Sequence, residues 1–253
     1  MSSLEERPPD HTVKLAGRIG AATRVTILTG AGVSAASGVP TFRGVGGLWR
    51  TYRAEDLATP DAFTRDPQLV WEWYAWRRET VAACRPNAAH AVLARWSRRD
   101  GTTLITQNVD DLHLRAGSRD VVRLHGSLWE LKCADHCAAG VTPWRDERVP
   151  LPERIPRCPH CGGYARPAIV WFGESLDASD VDRALAATAC DVFLTVGTSA
   201  VVYPAAGFVH ESKRRGAFTA EINMDETAAS STVDLSIRGG AEEILPALDR
   251  LIS

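Results

Sequence analysis

The sequence predicts an α/β fold: an open parallel sheet covered by helices, with a smaller unit made of a helical insert and a metal-stapled insert. Three observations carry this expectation. Short apolar runs such as Val25-Thr26-Ile27-Leu28 and Val192-Phe193-Leu194-Thr195-Val196 alternate with helix-length segments, as strands buried on both faces do. The block between the first two strands is far longer than a simple crossover, so it should protrude as a helical insert. Four of the six cysteines fall in two close pairs within residues 128–167, a stretch rich in Pro, Cys and Gly that lacks helical periodicity.

At 253 residues the chain suits one large or two modest domains, and its formal net charge of -2 is made of interspersed signs. That balance leaves no electrostatic footprint for nucleic acid. The N-terminal residues lack the apolar core of a signal peptide, and no run approaches the roughly 18 apolar residues that span a bilayer. A cytoplasmic protein without membrane or nucleic-acid partners is expected, with its cysteines reduced rather than bridged.

An amphipathic helix over about 11–22, with Val13, Ala16, Ile19 and Gly20 on one side, leads into the first strand. Gly30 and Gly32 then supply unhindered backbone, and Ser34, Ala35 and Ala36 open a helix whose free N–H groups favour a phosphate. A hydride-transferring nucleotide fold would continue into a second strand with an acidic residue roughly 20 positions on. Here Ser37-Gly38-Val39-Pro40 cuts the helix off, and a loop with Phe42, Arg43, Gly44, Gly46 and Gly47 takes the place of that strand. The pattern reads as nucleotide binding without the dehydrogenase frame.

Beyond Trp49, a long helix is expected over 67–84, with Asn87 capping the next one. Strands are expected at 102–106, 121–124, 168–172, 192–196 and 218–222. Helices are expected at 179–189, capped by Ser179 or Asp180, and at 203–215 and 242–251. Polar residues recur at the carboxyl ends of the strands: Gly30-Ala31-Gly32, Gln107-Asn108-Val109-Asp110, His125-Gly126, Gly197-Thr198-Ser199 and Asn223. In an open parallel sheet these ends share one edge, and ligands bind there.

His125 on that edge is a candidate general base, because imidazole titrates near neutral pH. His113, just past Leu112 in a short helix, reads as structural. Cys133, Cys137, Cys158 and Cys161, spaced C-x3-C and C-x2-C, fit a tetrahedral structural zinc site with no position left for substrate. Cys84 and Cys190 lack such partners and are assigned to packing. Tyr74 and Arg77 are three apart on the long helix and share a face, with Trp73 and Trp76 pointing elsewhere. A phenol beside a guanidinium makes a fork for a carboxylate, although on the residues alone a solvated helix face is the simpler reading.

Taken in order, Gly30-Ala31-Gly32-x-Ser34-x-x-Ser37-Gly38-x-Pro40-x-Phe42-Arg43, then Thr106-Gln107-Asn108-Val109-Asp110-x-Leu112-His113, His125-Gly126, the paired cysteines, Val170-Trp171-Phe172-Gly173-Glu174 and Gly197-Thr198-Ser199 resemble the sirtuins, NAD-dependent protein deacylases. The resemblance covers nearly the whole chain. It implies a Rossmann-like NAD-binding domain (11–40, 88–126 and 174–253), a helical insert with a cofactor loop (41–87), and a zinc-binding insert with a substrate-binding strand (127–173). Acyl-lysine side chains of other proteins would meet NAD in the cleft between. The acyl oxygen would attack the ribose carbon as nicotinamide leaves, and His125 would then draw a proton through the ribose hydroxyls.

By the same resemblance, Asn108 joins His125 as a catalytic residue, and the Phe42 and Arg43 loop covers the reactive ribose. Asn108 and Asp110 would hold the nicotinamide region and Gln107 a ribose. Gly197, Thr198, Ser199, Asn223 and the backbone near Ala241 would hold the adenosine half. Gly30, Ala31, Gly32, Ser34, Pro40 and Trp49 complete the implied cofactor set. Ala58, Tyr74 and Arg77 fall where one subclass receives succinyl- or malonyl-lysine. A peptide would add as a strand between Val170, Phe172, Gly173 and Glu174 on one side and Val201-Val202-Tyr203 on the other. The first cysteine pair is one residue wider than the usual spacing, so Cys137 and His136 both stand as candidates for that ligand. Beside the acidic-acyl reading stand an acetyl-preferring deacylase, a mono-ADP-ribosyltransferase and a non-catalytic NAD-sensing module.

Overall fold

The computed structural model describes residues 10–41, 52–199 and 201–252 and the backbone of 48–49. Helix α1 (Asp10–Ala21) and strand β1 (Val25–Thr29) lead into a short 3-10 helix (Ala31–Ser37), followed by the paired strands β2 (Leu48–Trp49) and β3 (Tyr52–Arg53). The helical insert contains α2 (Ala54–Leu57), α3 (Pro60–Arg65) and α4 (Pro67–Ala83), and α5 (Ala88–Trp96) returns the chain to β4 (Thr102–Thr106). Next come α6 (Leu112–Arg115), β5 (Val122–Arg123), β6 (Gly126–Cys133), β7 (Trp144–Arg145) and β8 (Ala165–Ile169). The remainder is α7 (Ala178–Ala187), β9 (Val192–Val196), α8 (Ala205–Arg214), β10 (Phe218–Asn223), β11 (Leu235–Arg238) and α9 (Ala241–Ile252).

Six strands form one parallel sheet in the order β11-β10-β9-β1-β4-β5. The central β1 and β9 are buried at every position, which is why they read as continuous runs without polar alternation. On one face Leu15 of α1, Leu93 and Trp96 of α5, and Leu245 and Leu248 of α9 pack on Ile27, Leu104, Leu194 and Ile222. On the other, Ala184 of α7 and Phe208 and Val209 of α8 cover Leu28, Ile105 and Phe193. Adjacent Ile27 and Leu28 therefore serve opposite cores, as the pleat requires.

The two inserts share a third core. Trp71, Trp73, Tyr74 and Val81 of α4 pack with Leu128, Trp129 and Leu131 of β6 and Ile169 of β8. The indole Nε1 of Trp71 donates to Ala165 O at 2.9 Å, and buried Arg78 donates to the Asp146 carboxylate at 2.9 Å. The helical insert is thus bound to an antiparallel sheet of order β7-β6-β8 that carries the cysteines.

Several expected elements shift. In α1 Thr12, not Val13, faces inward, and Val13 is 48 % exposed. The strand expected at 168–172 stops at Ile169, because the Trp171 and Glu174 amides turn back on each other: Trp171 N–H donates to Glu174 Oε2 and Glu174 N–H to Trp171 O, both at 2.9 Å. The α7 cap is Asp177, whose carboxylate accepts from the Ser179 and Asp180 amides, rather than either of those residues. Asn87 caps α5 as expected, accepting from Ala89 N–H at 2.9 Å. Strands β2, β3, β6, β7 and β11 have no counterpart in the sequence reading. Most of β6 is buried, so its residues show no clean period of two. No helix among the described residues is long and apolar enough to cross a membrane.

Candidate active site

The carboxyl ends of β1, β4, β9 and β10 converge, and their turns interlock before any ligand is considered. Gly32 N–H donates to Gly197 O at 2.8 Å and Gly197 N–H to Ile222 O at 2.9 Å. A Cβ on Gly32 would stand 2.7 Å from Gly197 Cα, and one on Gly197, whose φ is +60°, would stand 2.4 Å from Val33 N. Glycine is required at both places so that two turns can cross, a reason the sequence pattern alone does not supply.

Polar side chains line this edge with their nitrogen donors committed. Gln107 Nε2 donates to Thr198 Oγ1 at 2.8 Å, and Asn223 Nδ2 donates to Thr198 O at 2.9 Å. Asn108 Nδ2 reaches Gly30 O at 3.1 Å and Ser34 Oγ at 3.3 Å. Because the Gly30 carbonyl can only accept, the Asn108 nitrogen must face it, which leaves the Asn108 Oδ1 turned the other way as an acceptor. Ser199 follows Thr198, and Ala241 sits buried at the start of α9. Ala31 opens the 3-10 helix and Pro40 follows it, while Phe42 and Arg43 lie outside the described residues, as does the side chain of Trp49.

A buried relay fixes the floor. The Asn87 amide donates to His90 Nδ1 at 3.3 Å, so the hydrogen of the neutral ring sits on Nε2, which faces Ser34 Oγ at 3.4 Å. Ser34 in turn donates to Asp110 Oδ2 at 2.8 Å, and Asp110 Oδ1 accepts from Leu112 N–H. Burial pushes His90 down to about 4 and His113 to about 3, so both rings stay neutral at pH 7. His113 is structural, as expected: its Nε2 lies 2.9 Å from Thr29 Oγ1. Burial raises the Asp110 carboxyl, opposed by its hydrogen bonds to the Leu112 amide and Ser34. His90 had no place in the sequence reading, although its position three residues after Asn87 is the capping-box spacing.

His125 follows β5 and sits between the nucleotide edge and the inserts. Its Nδ1 lies 2.8 Å from Gln107 O. A carbonyl only accepts, so Nδ1 carries the hydrogen and Nε2 holds the basic lone pair. Burial lowers the His125 pKa below its ordinary 6.5, against the opposing bond to Gln107. We therefore expect kcat/KM measured from pH 5 to 8 to fall on the acid limb with a midpoint below 6.5. A midpoint above 6.5 would contradict the assignment of that limb to this ring.

The insert side supplies the second wall. Val170 N–H donates to His125 O at 3.1 Å, and Phe172 N–H donates to Ala58 O at 2.9 Å. Tyr74 is fully buried, and its hydroxyl accepts from Trp171 Nε1 at 2.8 Å. The Arg77 guanidinium lies 4.9 Å from the Trp73 ring centroid and 5.5 Å from that of Tyr74. Trp73 therefore does not point away from the Tyr74 and Arg77 face: its ring is 4.6 Å from Tyr74 and forms a shelf beneath the pair. Trp76 also packs on the insert core. Both Glu174 oxygens are committed to Arg166, so this carboxylate braces the segment from within. Among Val170, Trp171, Phe172, Gly173 and Glu174, only the Gly173 amide has no partner among the described residues.

The Sγ atoms of Cys133, Cys137, Cys158 and Cys161 lie within 4.8 Å of one another. Two of the separations are 3.6 Å (Cys133 to Cys161) and 3.7 Å (Cys137 to Cys158). A tetrahedral zinc with bonds of about 2.3 Å sets sulfurs about 3.8 Å apart, so four thiolates fit the ion and close its sphere. Cys137, not His136, completes the set; His136 is exposed and takes no part in the cluster.

Comparison with known proteins agrees with this geometry. The model of the Sir2 family matches residues 30–204. An NAD-dependent protein deacylase of Pyrococcus furiosus is 48 % identical over 224 residues, covering 87 % of this chain and 89 % of that protein. The mitochondrial NAD-dependent protein deacylase sirtuin-5 of Canis lupus familiaris is 42 % identical, covering 95 % of this chain and 85 % of its own. The crystal structure of a Sir2 homologue in complex with NAD superposes with a TM-score of 0.89 at 47 % identity, covering 94 % of this chain and 93 % of the other. Matches this long, at this identity and along the same elements, make the chain a member of the Sir2 family.

Proposed function

We propose that this protein is an NAD-dependent protein-lysine deacylase that prefers succinyl- and malonyl-lysine and passes the acyl group to ADP-ribose. The observation that carries the reading is the short segment from Val170 to Phe172, whose amides tie it to His125 at one end and to Ala58 at the other. The candidate base and the candidate acyl pocket are thereby held on one strip of backbone.

NAD supplies the ribose carbon that receives the acyl oxygen, and nicotinamide is its leaving group. The chain's own residues orient and deprotonate. Asn108 Oδ1 is positioned to accept from a ribose hydroxyl, because its nitrogen is held by Gly30 O and Ser34. Asp110, fixed by Ser34 and the Leu112 amide, offers its remaining lone pairs to the amide of nicotinamide. Gln107, Gly197, Thr198, Ser199 and Asn223 frame the ribose and adenosine end, joined there by the backbone at Ala241, while Gly30, Ala31, Gly32, Ser34 and Pro40 bound the near wall. Neutral His125, with Nε2 available, takes a proton as the acyl group moves.

At the acyl end, Ala58 leaves room and Arg77 leaves charge. Burial draws the guanidinium down, with Tyr74 and Asp110 opposing, and the Trp73 shelf holds it. A guanidinium so placed pairs with a carboxylate better than with a methyl group. The test is turnover of acetyl-, succinyl- and malonyl-lysine peptides with and without NAD. We expect NAD-dependent turnover favouring the acidic groups, and a fall of roughly 30-fold in kcat/KM for the succinyl peptide in Arg77→Met, from about 2 kcal/mol for a charged hydrogen-bonded pair. The acetyl peptide should lose much less. Equal efficiency on acetyl and succinyl peptides, unchanged by Arg77→Met, would refute the acidic preference.

A further inference from the structure

We infer that Trp171 is a positioning residue for acyl recognition: its indole N–H, donated to the Tyr74 hydroxyl, turns the phenolic hydrogen toward the acyl group. The inference rests on Tyr74 and Arg77 receiving the acyl end, and it goes on to say what sets the direction of the phenol.

A hydroxyl has one hydrogen to donate and two lone pairs to accept with. Trp171 Nε1 has only a hydrogen, so in the 2.8 Å contact Tyr74 must be the acceptor. Its own hydrogen then needs another acceptor, and no described residue provides one. Tyr74 is fully buried, so water does not compete for that hydrogen in this structure. Arg77, the neighbouring polar group, carries donors only and itself bonds to the Tyr74 side chain, so it cannot take the phenolic hydrogen. A carboxylate, which is acceptor only, can take the Tyr74 hydrogen and pair with the Arg77 charge at once.

Trp171 is itself held from three directions. Its backbone N–H donates to Glu174 Oε2 at 2.9 Å. Arg166, 4 % exposed, grips the same carboxylate at 2.5 and 2.8 Å and lies 3.3 Å from the Trp171 ring centroid. Phe63 closes another side at 5.4 Å between centroids. Although burial alone would raise it, the Arg166 and Trp171 N–H bonds keep the Glu174 carboxyl below its ordinary pKa, so the clamp stays charged at neutral pH. Trp171 thus has one fixed orientation, and its single donor has one target.

The experiment is a double-mutant cycle on the full chain with NAD, comparing Trp171→Phe, Tyr74→Phe and the double variant. Phenylalanine keeps an aromatic ring at each site, and melting temperatures of all three report any loss of fold. We expect Trp171→Phe to lower kcat/KM for the succinyl peptide about tenfold, chiefly through KM, as loss of one hydrogen bond to a charged group predicts. In the Tyr74→Phe background the same change should have almost no further effect, a coupling that a purely structural role would not produce. Additive losses, or equal losses in kcat with KM unchanged, overturn the proposal. Wild-type indifference between acetyl and succinyl peptides would instead refute the acidic preference. The cycle, run on whichever acyl group is turned over best, would still decide whether Trp171 acts through Tyr74.

Discussion

Replacing His125 with Ala is expected to lower the deacylation rate by about 10²- to 10⁴-fold, the usual contribution of a positioned general base. The size follows from how completely the ring is committed. Its Nδ1 hydrogen is held by Gln107 O, so the residue has one working nitrogen and one orientation. In the proposed mechanism nicotinamide leaves before the proton transfer assigned to His125, so exchange of labelled nicotinamide into NAD should survive in the variant far better than deacylation does. Loss of both to the same degree would place His125 in the binding of NAD rather than in proton transfer. Melting of the variant near the wild-type temperature would exclude a trivial loss of fold.

The second large effect is expected at the metal centre. Cys158→Ser removes one of four thiolates at a position only 2 % exposed. Structural zinc contributes about 10–16 kcal/mol in small domains that lack another core. Here the insert also shares an apolar core with α4, so part of the fold should outlive the ion. We expect zinc content to fall below one ion per chain and the melting temperature to drop by about 10 °C or more, taking a few kcal/mol at about 2–4 °C each. Activity should fall with it, because β6 runs from Gly126, next to the candidate base, to Cys133 of the cluster. Unchanged melting and unchanged zinc content would contradict the assignment.

What was legible in the sequence follows from burial. The central strands β1, β4 and β9 read clearly because apolar runs bounded by Gly or polar residues have few other interpretations, and each lies within a residue of its expected span. The glycine turn and the Gln107, Asn108, Asp110 and His125 cluster were visible as polar residues at strand ends, and parallel topology brings them to one edge. The β6 strand was not legible, since a strand that is buried on most of its length and starts at a glycine shows neither alternation nor a turn signal. The clamp on Trp171 was equally hidden: Tyr74 reaches Trp171 only because α4 packs on the cysteine-bearing sheet, and no local pattern encodes that contact. For the same reason the sequence does not show the Trp73 shelf, because helical spacing alone cannot say that two adjacent aromatic rings will turn toward the same core.

The most direct test of the proposed activity is mass spectrometry of the products formed from NAD and a succinyl-lysine peptide. Acyl transfer to ADP-ribose predicts free lysine peptide, nicotinamide and succinyl-ADP-ribose in equal amounts, with no product when NAD is omitted. Release of free succinate without consumption of NAD, or ADP-ribose attached to a peptide that keeps its succinyl group, would contradict it.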